Sequence, residues 1–180
     1  MRRHDHHHAR RQAGITLLEV VTCGAVLAIL AALAWPGLQE MTDRVRADTI
    51  RMQLASAFAS ARATAVTRRH PVSICGSHDG RSCTGDWRGG WLIYRDPGRV
   101  SQPASQDDVL RHHRLDPRSR LQVSSSEGRH RLRYTPDGRS IGTNLTITVC
   151  AGGTLHGEVV TNNSGRTRSN AFRGQTPCGG

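Results

Sequence analysis

The chain has 180 residues, enough for one modest hydrophobic core, and this length excludes large multidomain enzymes. Charged residues make up 22% and apolar residues 36%, so the composition is too mixed for a wholly disordered chain. All 25 basic residues are arginine, and against 14 acidic residues they give a formal net charge of +11. This charge favours partners that are negatively charged.

The first fourteen residues form a polar, basic segment ahead of the most apolar part of the chain. Four arginines and one aspartate give this segment a net charge of +3, so the rest of the chain keeps +8. Asp5 interrupts its histidine-rich stretch and arginine pairs bracket it, which favours a native leader over an expression tag, and we assign it no metal. A basic flank of this kind stays on the cytoplasmic side of a membrane.

The apolar segment covers residues 15–35 and contains a single charge, Glu19. It is long enough to cross a bilayer as a helix, which takes roughly 20 residues. Residues 36–40 lack the small-residue cleavage site of a secretory signal, so we expect the segment to be retained and the rest of the chain to be periplasmic. A carboxylate in hydrocarbon is costly unless it finds a partner, which makes Glu19 a functional candidate.

Residues 14–19, Gly-Ile-Thr-Leu-Leu-Glu, resemble the signal of type IV pilins and type II secretion pseudopilins. The resemblance implies that a prepilin peptidase cuts after Gly14, leaving residues 1–14 as a leader peptide, and that the new N-terminus at Ile15 is methylated. It also implies that Glu19 pairs with the terminal amine of a neighbouring subunit during filament assembly. The implied partners are the peptidase, other major and minor pilins, and the inner membrane before assembly. An ordinary single-pass anchor is the alternative.

Residues 36–70 are predicted to continue this helix as an amphipathic element. Pro36 lies where pilin helices commonly contain a kinking proline. Pro71 disfavours helical geometry at His70, so the helix is expected to stop around Arg69. Apolar residues near helical spacing predict the face that packs on the rest of the protein. These residues are Leu38, Met41, Val45, Met52, Ala55 and Ala59.

Residues 71–180 are predicted to form a globular β-rich domain, because short apolar runs alternate there with glycine and proline. Residues 101–108 lack a clear period and are predicted to be an exposed loop. The predicted fold class is α+β, with a long N-terminal helix packed on a C-terminal antiparallel β-sheet domain. The predicted strands are 72–75, 91–94, 121–124, 132–135, 145–150 and 157–161.

Four of the five cysteines lie in the predicted extracytoplasmic domain, where disulfides are permitted, and Cys23 lies in the apolar segment. The four allow three pairings, between which the sequence alone cannot choose. We prefer the short loop from Cys75 to Cys83 and the long loop from Cys150 to Cys178. Zinc is the alternative, but the spacing lacks paired ligand motifs, so we predict no metal and no cofactor.

Residues 71–94 resemble the FimT and GspH group of minor pilins and pseudopilins. The resemblance is carried by Pro-Val-Ser-Ile-Cys at 71–75, Cys-Thr-Gly-Asp-Trp at 83–87 and Gly-Trp-Leu-Ile-Tyr at 90–94. It implies that Trp87 and Trp91 pack against the long helix rather than form a binding platform. The resemblance resumes at the turn of residues 135–138 and in the final hairpin.

One short motif points to catalysis. Residues 138–142, Gly-Arg-Ser-Ile-Gly, match a nucleophile pattern that needs a strand, a sharp elbow and a following helix to present the serine. Here the motif follows a Pro-Asp-Gly turn and leads into strand-like residues, and the scattered histidines lack ligand or catalytic spacing. We therefore predict no catalytic residue and no enzyme. A membrane-anchored hydrolase using Ser140 remains the alternative from the enzyme class.

The C-terminal region is basic, with no acidic residue after Glu158. Alternation along a strand places Arg166 and Arg168 on one face, and Arg173 adds a third cation. Guanidinium groups bind phosphate bidentately, and Phe172 is able either to stack on a base or to cover the sheet. The basic run of residues 111–133 could widen this surface.

Residues 165–168, Gly-Arg-Thr-Arg, resemble the G-R-x-R motif of DNA-binding FimT proteins, which helps capture DNA at the pilus during natural transformation. The resemblance implies that Gly165 forms the turn and that Arg166 and Arg168 contact phosphates of double-stranded DNA without sequence specificity. It also implies a final location on the pilus at the cell surface. One alternative is a soluble edge strand whose arginines block unwanted pairing. The other is a GspH-like structural pseudopilin of the type II secretion system that does not bind DNA.

Overall fold

The computed structural model describes residues 15–174 and 176–178, so Gly14 and the rest of the predicted leader lie outside the described residues. The chain divides into two compact units, residues 1–39 and 40–180. A single long helix, α1 (Leu17–Arg68), precedes the β-strands of the second unit. The α+β fold class, with an N-terminal helix packed on an antiparallel sheet domain, is confirmed.

In the N-terminal unit, α1 carries the apolar segment of the chain. It is the one helix in the described part of the chain that is long and apolar enough to cross a membrane, judged by length and composition. Its large apolar side chains are exposed, as are those of Leu17, Val26 and Leu33. Pro36 lies inside the helix and does not end it. The unit therefore offers apolar surface all round, as a membrane-embedded or subunit-packed helix requires.

The second part of α1 packs on the sheets through a different face from the one predicted. Leu38, Met41, Val45 and Met52 are exposed, so the predicted packing face is wrong. The prediction passed over Ile50, Leu54 and Phe58, which lie four residues apart and are buried together with neighbouring alanines. The buried positions, three or four residues apart, are Ala47, Ile50, Leu54, Phe58, Ala61 and Ala65.

The helix ends at Arg68, next to the predicted position. Arg69 then takes a left-handed backbone conformation, with φ of 53°, as helix-terminating residues commonly do. Pro71 follows after His70 and cannot continue the helix. The chain therefore turns back here along the sheet domain.

The strands form two four-stranded antiparallel sheets. The first has the order β3-β2-β1-β5 and the second the order β4-β6-β7-β8. The strands are β1 (Val72–Gly76), β2 (Gly90–Arg95), β3 (Val109–Arg114), β4 (Leu121–Ser125), β5 (Arg131–Tyr134), β6 (Leu145–Ala151), β7 (Thr154–Thr161) and β8 (Thr167–Ala171). A short 3-10 helix, Gln106–Asp108, lies in the predicted loop before β3. Strand β3 was missed by the sequence analysis, because four of its six residues are arginine or histidine.

Both sheets bury one face against α1 in a common core. Trp87 and Trp91 are buried in it, and the Trp87 ring stacks on Phe58 of α1 with centroids 6.0 Å apart. Leu132 of β5 and Ile147 of β6 contribute to it from the two sheets. Aromatic rings of this size supply much of the apolar area that a small domain buries.

Two disulfides close the ends of the sheets. Cys75 is bonded to Cys83, with Cα atoms 5.7 Å apart, and Cys150 is bonded to Cys178, with Cα atoms 6.2 Å apart. These are the pairings preferred from the sequence. The second bond ties the segment after β8 to β6, so the basic C-terminal region is anchored at both ends.

Candidate functional site

The start of α1 has a local hydrogen bond that the sequence analysis missed. The backbone N–H of Glu19 donates to the hydroxyl oxygen of Thr16 at 3.3 Å, and Glu19 is the acidic residue of the first turn. A threonine followed three residues later by glutamate is the signature of a capping box, and a carboxylate there also complements the helix dipole. Glu19 is therefore placed at the helix start, next to exposed Ile15.

The turn between β7 and β8 is built around Asn162 and Gly165. The Asn162 backbone N–H donates to the carbonyl oxygen of Arg166 at 3.1 Å, and the Asn162 side-chain oxygen accepts the Arg166 backbone N–H at 3.0 Å. Gly165 has a φ of 73°, which favours glycine, and a Cβ there would strike the carbonyl oxygen of Gly138. The turn geometry thus requires Gly165 and fixes where β8 begins.

Strand β8 presents Arg168 to solvent. On its inner face, the Thr167 hydroxyl lies 3.0 Å from that of Thr161, and the Ser169 hydroxyl accepts a hydrogen bond from Arg51 of α1. Alternation then directs Arg168 outward, and it is exposed, as Arg166 is. Among the described residues, neither guanidinium has a hydrogen bond or ion pair. Both arginines are free to bind an external anion.

The C-terminal end of β8 carries the remaining candidate residues. Phe172 is 37% exposed, and its backbone N–H donates to the carbonyl oxygen of His156 at 2.8 Å. Arg173 follows it and is exposed. The structure places Arg173 beyond the strand end, so it is separated from Arg166 by the length of β8.

A second turn, residues 135–142, lies against the β7–β8 turn. The Ser140 backbone N–H donates to the carbonyl oxygen of Asn163 at 3.0 Å. Arg62 of α1 donates its Nε–H to the carbonyl oxygen of Gly138 at 2.9 Å, the same oxygen that lies under Gly165. Arg62 therefore links the helix to both turns, a role that the sequence analysis did not identify.

Arg139 is a further free cation at this end of the domain. It is exposed and, within residues 15–174 and 176–178, its guanidinium makes no hydrogen bond or ion pair. The neighbouring Asp137 stays ionised, because hydrogen bonds from the Thr135 hydroxyl and the Arg139 backbone N–H lower its pKa. The Pro-Asp-Gly turn was visible in the sequence, but its contact with the β7–β8 turn was not.

The sequence suggested that the basic run of residues 111–133 widens this surface. In the structure, most of the run does not. Arg131 and Arg133 contact the buried Asp96 carboxylate at 3.4 and 3.1 Å. Arg120 lies 3.5 Å from the Asp43 carboxylate. Arg129 donates to the Ser140 hydroxyl at 2.9 Å, and burial lowers the pKa of its guanidinium. The free arginines of the run, Arg111, Arg114 and Arg118, belong to β3 and the loop after it.

Ser140 lacks the geometry of a catalytic serine. It is 1% exposed, and its hydroxyl accepts the hydrogen bond from Arg129 instead of facing a general base. The residues after it lead into β6 and not into a helix. The strand, elbow and helix that the nucleophile pattern needs are not formed here.

The described chain combines an apolar N-terminal helix with a disulfide-bonded antiparallel domain. The family model of type II transport protein GspH matches residues 51–165, and the chain belongs to this family. No curated protein sequence matches the chain.

Solved structures share this fold. Two crystal structures of the type IV minor pilin FimU of Pseudomonas aeruginosa match at 20% and 22% identity, with TM-scores of 0.57 and 0.54. They cover 72% and 68% of this chain and 92% and 91% of theirs. The Vibrio cholerae minor pseudopilin EpsH matches at 14% identity and a TM-score of 0.48, over 69% of this chain and 96% of its own. The chain is therefore a GspH-family protein that shares the fold of the minor pilin FimU, and this family and fold are those of structural proteins and not of enzymes.

Proposed function

We propose that this minor pilin assembles into a type IV pilus and binds double-stranded DNA without sequence specificity for uptake in natural transformation. The observation that carries the proposal is the exposed, unpaired guanidinium pair of Arg166 and Arg168 on the β7–β8 hairpin. Free arginines are the side chains best suited to bidentate phosphate contacts. Phosphate contacts position a duplex without reading its sequence.

The backbone that carries the two arginines is fixed before DNA arrives. Asn162 closes the turn, Gly165 rests on the Gly138 carbonyl, and the bond from Cys150 to Cys178 anchors the chain beyond β8. Binding then costs little ordering entropy, since the backbone is already fixed. Arg173, which follows β8, and the partly exposed ring of Phe172 extend the proposed surface along the strand.

Assembly is proposed to follow the pilin route. A prepilin peptidase would cut after Gly14 and the amine of Ile15 would be methylated, and Glu19 would then pair with the amine of a neighbouring subunit. The exposed apolar helix of residues 17–35 supports a single-pass anchor in the inner membrane before assembly, with the sheet domain in the periplasm. The exposed side chains of Met41 and Met52 on α1 leave apolar surface for neighbouring pilins in the filament.

The second candidate function is that of a structural pseudopilin in a type II secretion system. The observation that favours it is the family match itself, whose description is a type II transport protein. In that case Arg166 and Arg168 would prevent the edge strand β8 from pairing with strands of other chains. DNA affinity separates the two candidates.

The test is a gel-shift titration of duplex DNA with the full-length protein in a neutral detergent. We expect Arg166→Gln/Arg168→Gln to weaken binding by about tenfold, because two phosphate contacts are lost. The matched control is Arg81→Gln/Arg99→Gln, which removes the same charge from two exposed arginines without side-chain partners in the described chain. Binding that is absent in the wild type, or that falls equally in both variants, would favour the secretion pseudopilin.

A further inference from the structure

A groove runs between α1 and β3, the edge strand of the first sheet. Its largest cleft, of about 470 Å³, lies between residues 45–53 and residues 113–121. The next, of about 250 Å³, shares Gln53 and His113 with the first. A third, of about 170 Å³, shares Ile93 and Arg111 with the second. The three clefts therefore follow one another along the helix.

The β3 side of the groove is an open strand edge. In the first sheet β3 pairs with β2 alone, and no other described strand pairs with it. The buried side chains of Ile50, Trp91 and Ile93 form an apolar floor. An edge strand flanked by a helix is the geometry in which several domains bind a peptide as an added strand. The groove can accept one extended chain in the same way.

The walls of the groove are strongly basic. The side chains of Arg111 and Arg114 on β3 lack acidic partners in the part of the chain that the structure describes, and the lining contains one acidic residue, Asp116. Partial desolvation lowers the pKa of His112 and of His113, so the positive charge of the groove at pH 7 comes mainly from guanidinium groups. The unpaired arginines along the groove are Arg46, Arg68, Arg111, Arg114 and Arg118.

We propose that this groove binds an extended acidic segment of a partner subunit, which adds a strand to β3 and sets its carboxylates against the arginines. Charge complementarity favours an acidic occupant, and the unpaired backbone of β3 favours a peptide over a nucleic acid, which has no strand to offer. The groove is separate from the β7–β8 hairpin, because β3 and β8 lie in different sheets. The proposal therefore does not rest on DNA binding.

The probe is a fluorescein-labelled eight-residue peptide of alternating valine and glutamate, titrated by anisotropy with the full-length protein in a neutral detergent. We expect saturable binding that weakens at least tenfold in Arg111→Gln/Arg114→Gln and less than twofold in Arg81→Gln/Arg99→Gln. The same peptide with its glutamates replaced by lysine should not bind. Circular dichroism checks that the variants stay folded, which is expected because both substituted positions are exposed.

A second peptide tests strand addition. The valine-glutamate peptide methylated on alternate backbone nitrogens keeps its charge but loses donors on one edge, and we expect its affinity to fall at least tenfold. Equal binding of the methylated peptide, or equal loss in the two arginine variants, would overturn the proposal. Loss of duplex DNA binding in Arg111→Gln/Arg114→Gln, with peptide binding unchanged, would assign the groove to nucleic acid instead.

Discussion

Among individual residues, Asp96 holds together more of the sheet domain than any other acidic side chain described here. Its carboxylate accepts hydrogen bonds from the Ser73 hydroxyl at 2.7 Å and the Val100 backbone N–H at 2.8 Å, in addition to its contacts with two arginines of β5. The carboxylate is fully buried, so its charge is stabilised by these donors alone. Burying a carboxylate is costly unless it is paired and hydrogen-bonded, so the fold depends on these contacts.

We predict that Asp96→Asn destabilises the domain by about 3 kcal/mol, because it leaves Arg131 and Arg133 partly buried without their counter-charge. Urea denaturation of the full-length protein in detergent measures the effect. The matched control is Asp107→Asn, an exposed position that should cost less than about 0.5 kcal/mol. Similar losses of stability in the two variants would show that the contacts of Asp96 do not stabilise the domain as described.

Asp86 makes the stability of the disulfide loop between β1 and β2 depend on pH. Hydrogen bonds from the Arg88 side chain, and further bonds from the Arg88 backbone and from His78, lower the pKa of Asp86 from 3.8 to about 2. The pKa of Asp86 is lower in the folded chain than in the unfolded chain. Its contribution to the free energy of unfolding is therefore complete above about pH 4 and is lost as the pH falls toward 2. The stability difference between wild type and Asp86→Asn should therefore shrink over this interval, and a constant difference would contradict the assignment.

Among the elements, the β7–β8 hairpin depends on the backbone conformation of Gly165. We predict that Gly165→Ala is at least twice as destabilising as Gly153→Ala and also weakens DNA binding. Both glycines have positive φ, 73° and 83°, which costs an alanine about 1 kcal/mol. Only at Gly165 would the new Cβ also strike a backbone carbonyl, whereas Gly153 has open space. Urea denaturation and a DNA titration give the two readouts, and equal losses would contradict this account of the turn.

The elements that the sequence predicted well are those in which local pattern and tertiary environment agree. Strand β6 alternates in burial over Leu145, Ile147 and Val149, and Pro71 marks the end of the helix. Strand β3 was missed because an edge strand beside an open groove needs no apolar alternation. The packing face of α1 was mispredicted because Met41, Val45 and Met52 form a second apolar set on the exposed side, so the local pattern does not distinguish the two faces.

The candidate site was predictable only in part, because some of its contacts join residues that are far apart in the chain. Alternation placed Arg166 and Arg168 on one face, because both belong to one local hairpin. The contacts of Arg62 and Ser140 with the neighbouring turn join residues that are far apart in the chain. No local pattern contains that information, so Arg139 entered the site only through the structure.

At the scale of the whole molecule, the main physical feature is that some arginines are ion-paired within the domain whereas others are unpaired. The net charge is +11, yet both arginines of β5 are engaged by one buried aspartate and are not free for a ligand. The unpaired guanidiniums in the described chain include one set along the α1–β3 groove and another on the β7–β8 hairpin and its neighbouring turn. Under the two proposals, the groove would contact a partner subunit while the hairpin faces DNA.

The most direct test of DNA binding is its salt dependence. For the full-length protein in a neutral detergent and a duplex of 20 base pairs, the logarithm of the association constant is plotted against that of the salt concentration. The slope for Arg166→Gln/Arg168→Gln should be shallower than that of the wild type by about 1.8, because each lost phosphate contact removes about 0.9. Two unrelated duplexes should give the same result, and Arg81→Gln/Arg99→Gln should keep the wild-type slope. An unchanged slope in Arg166→Gln/Arg168→Gln would contradict the claim that these arginines contact the DNA backbone.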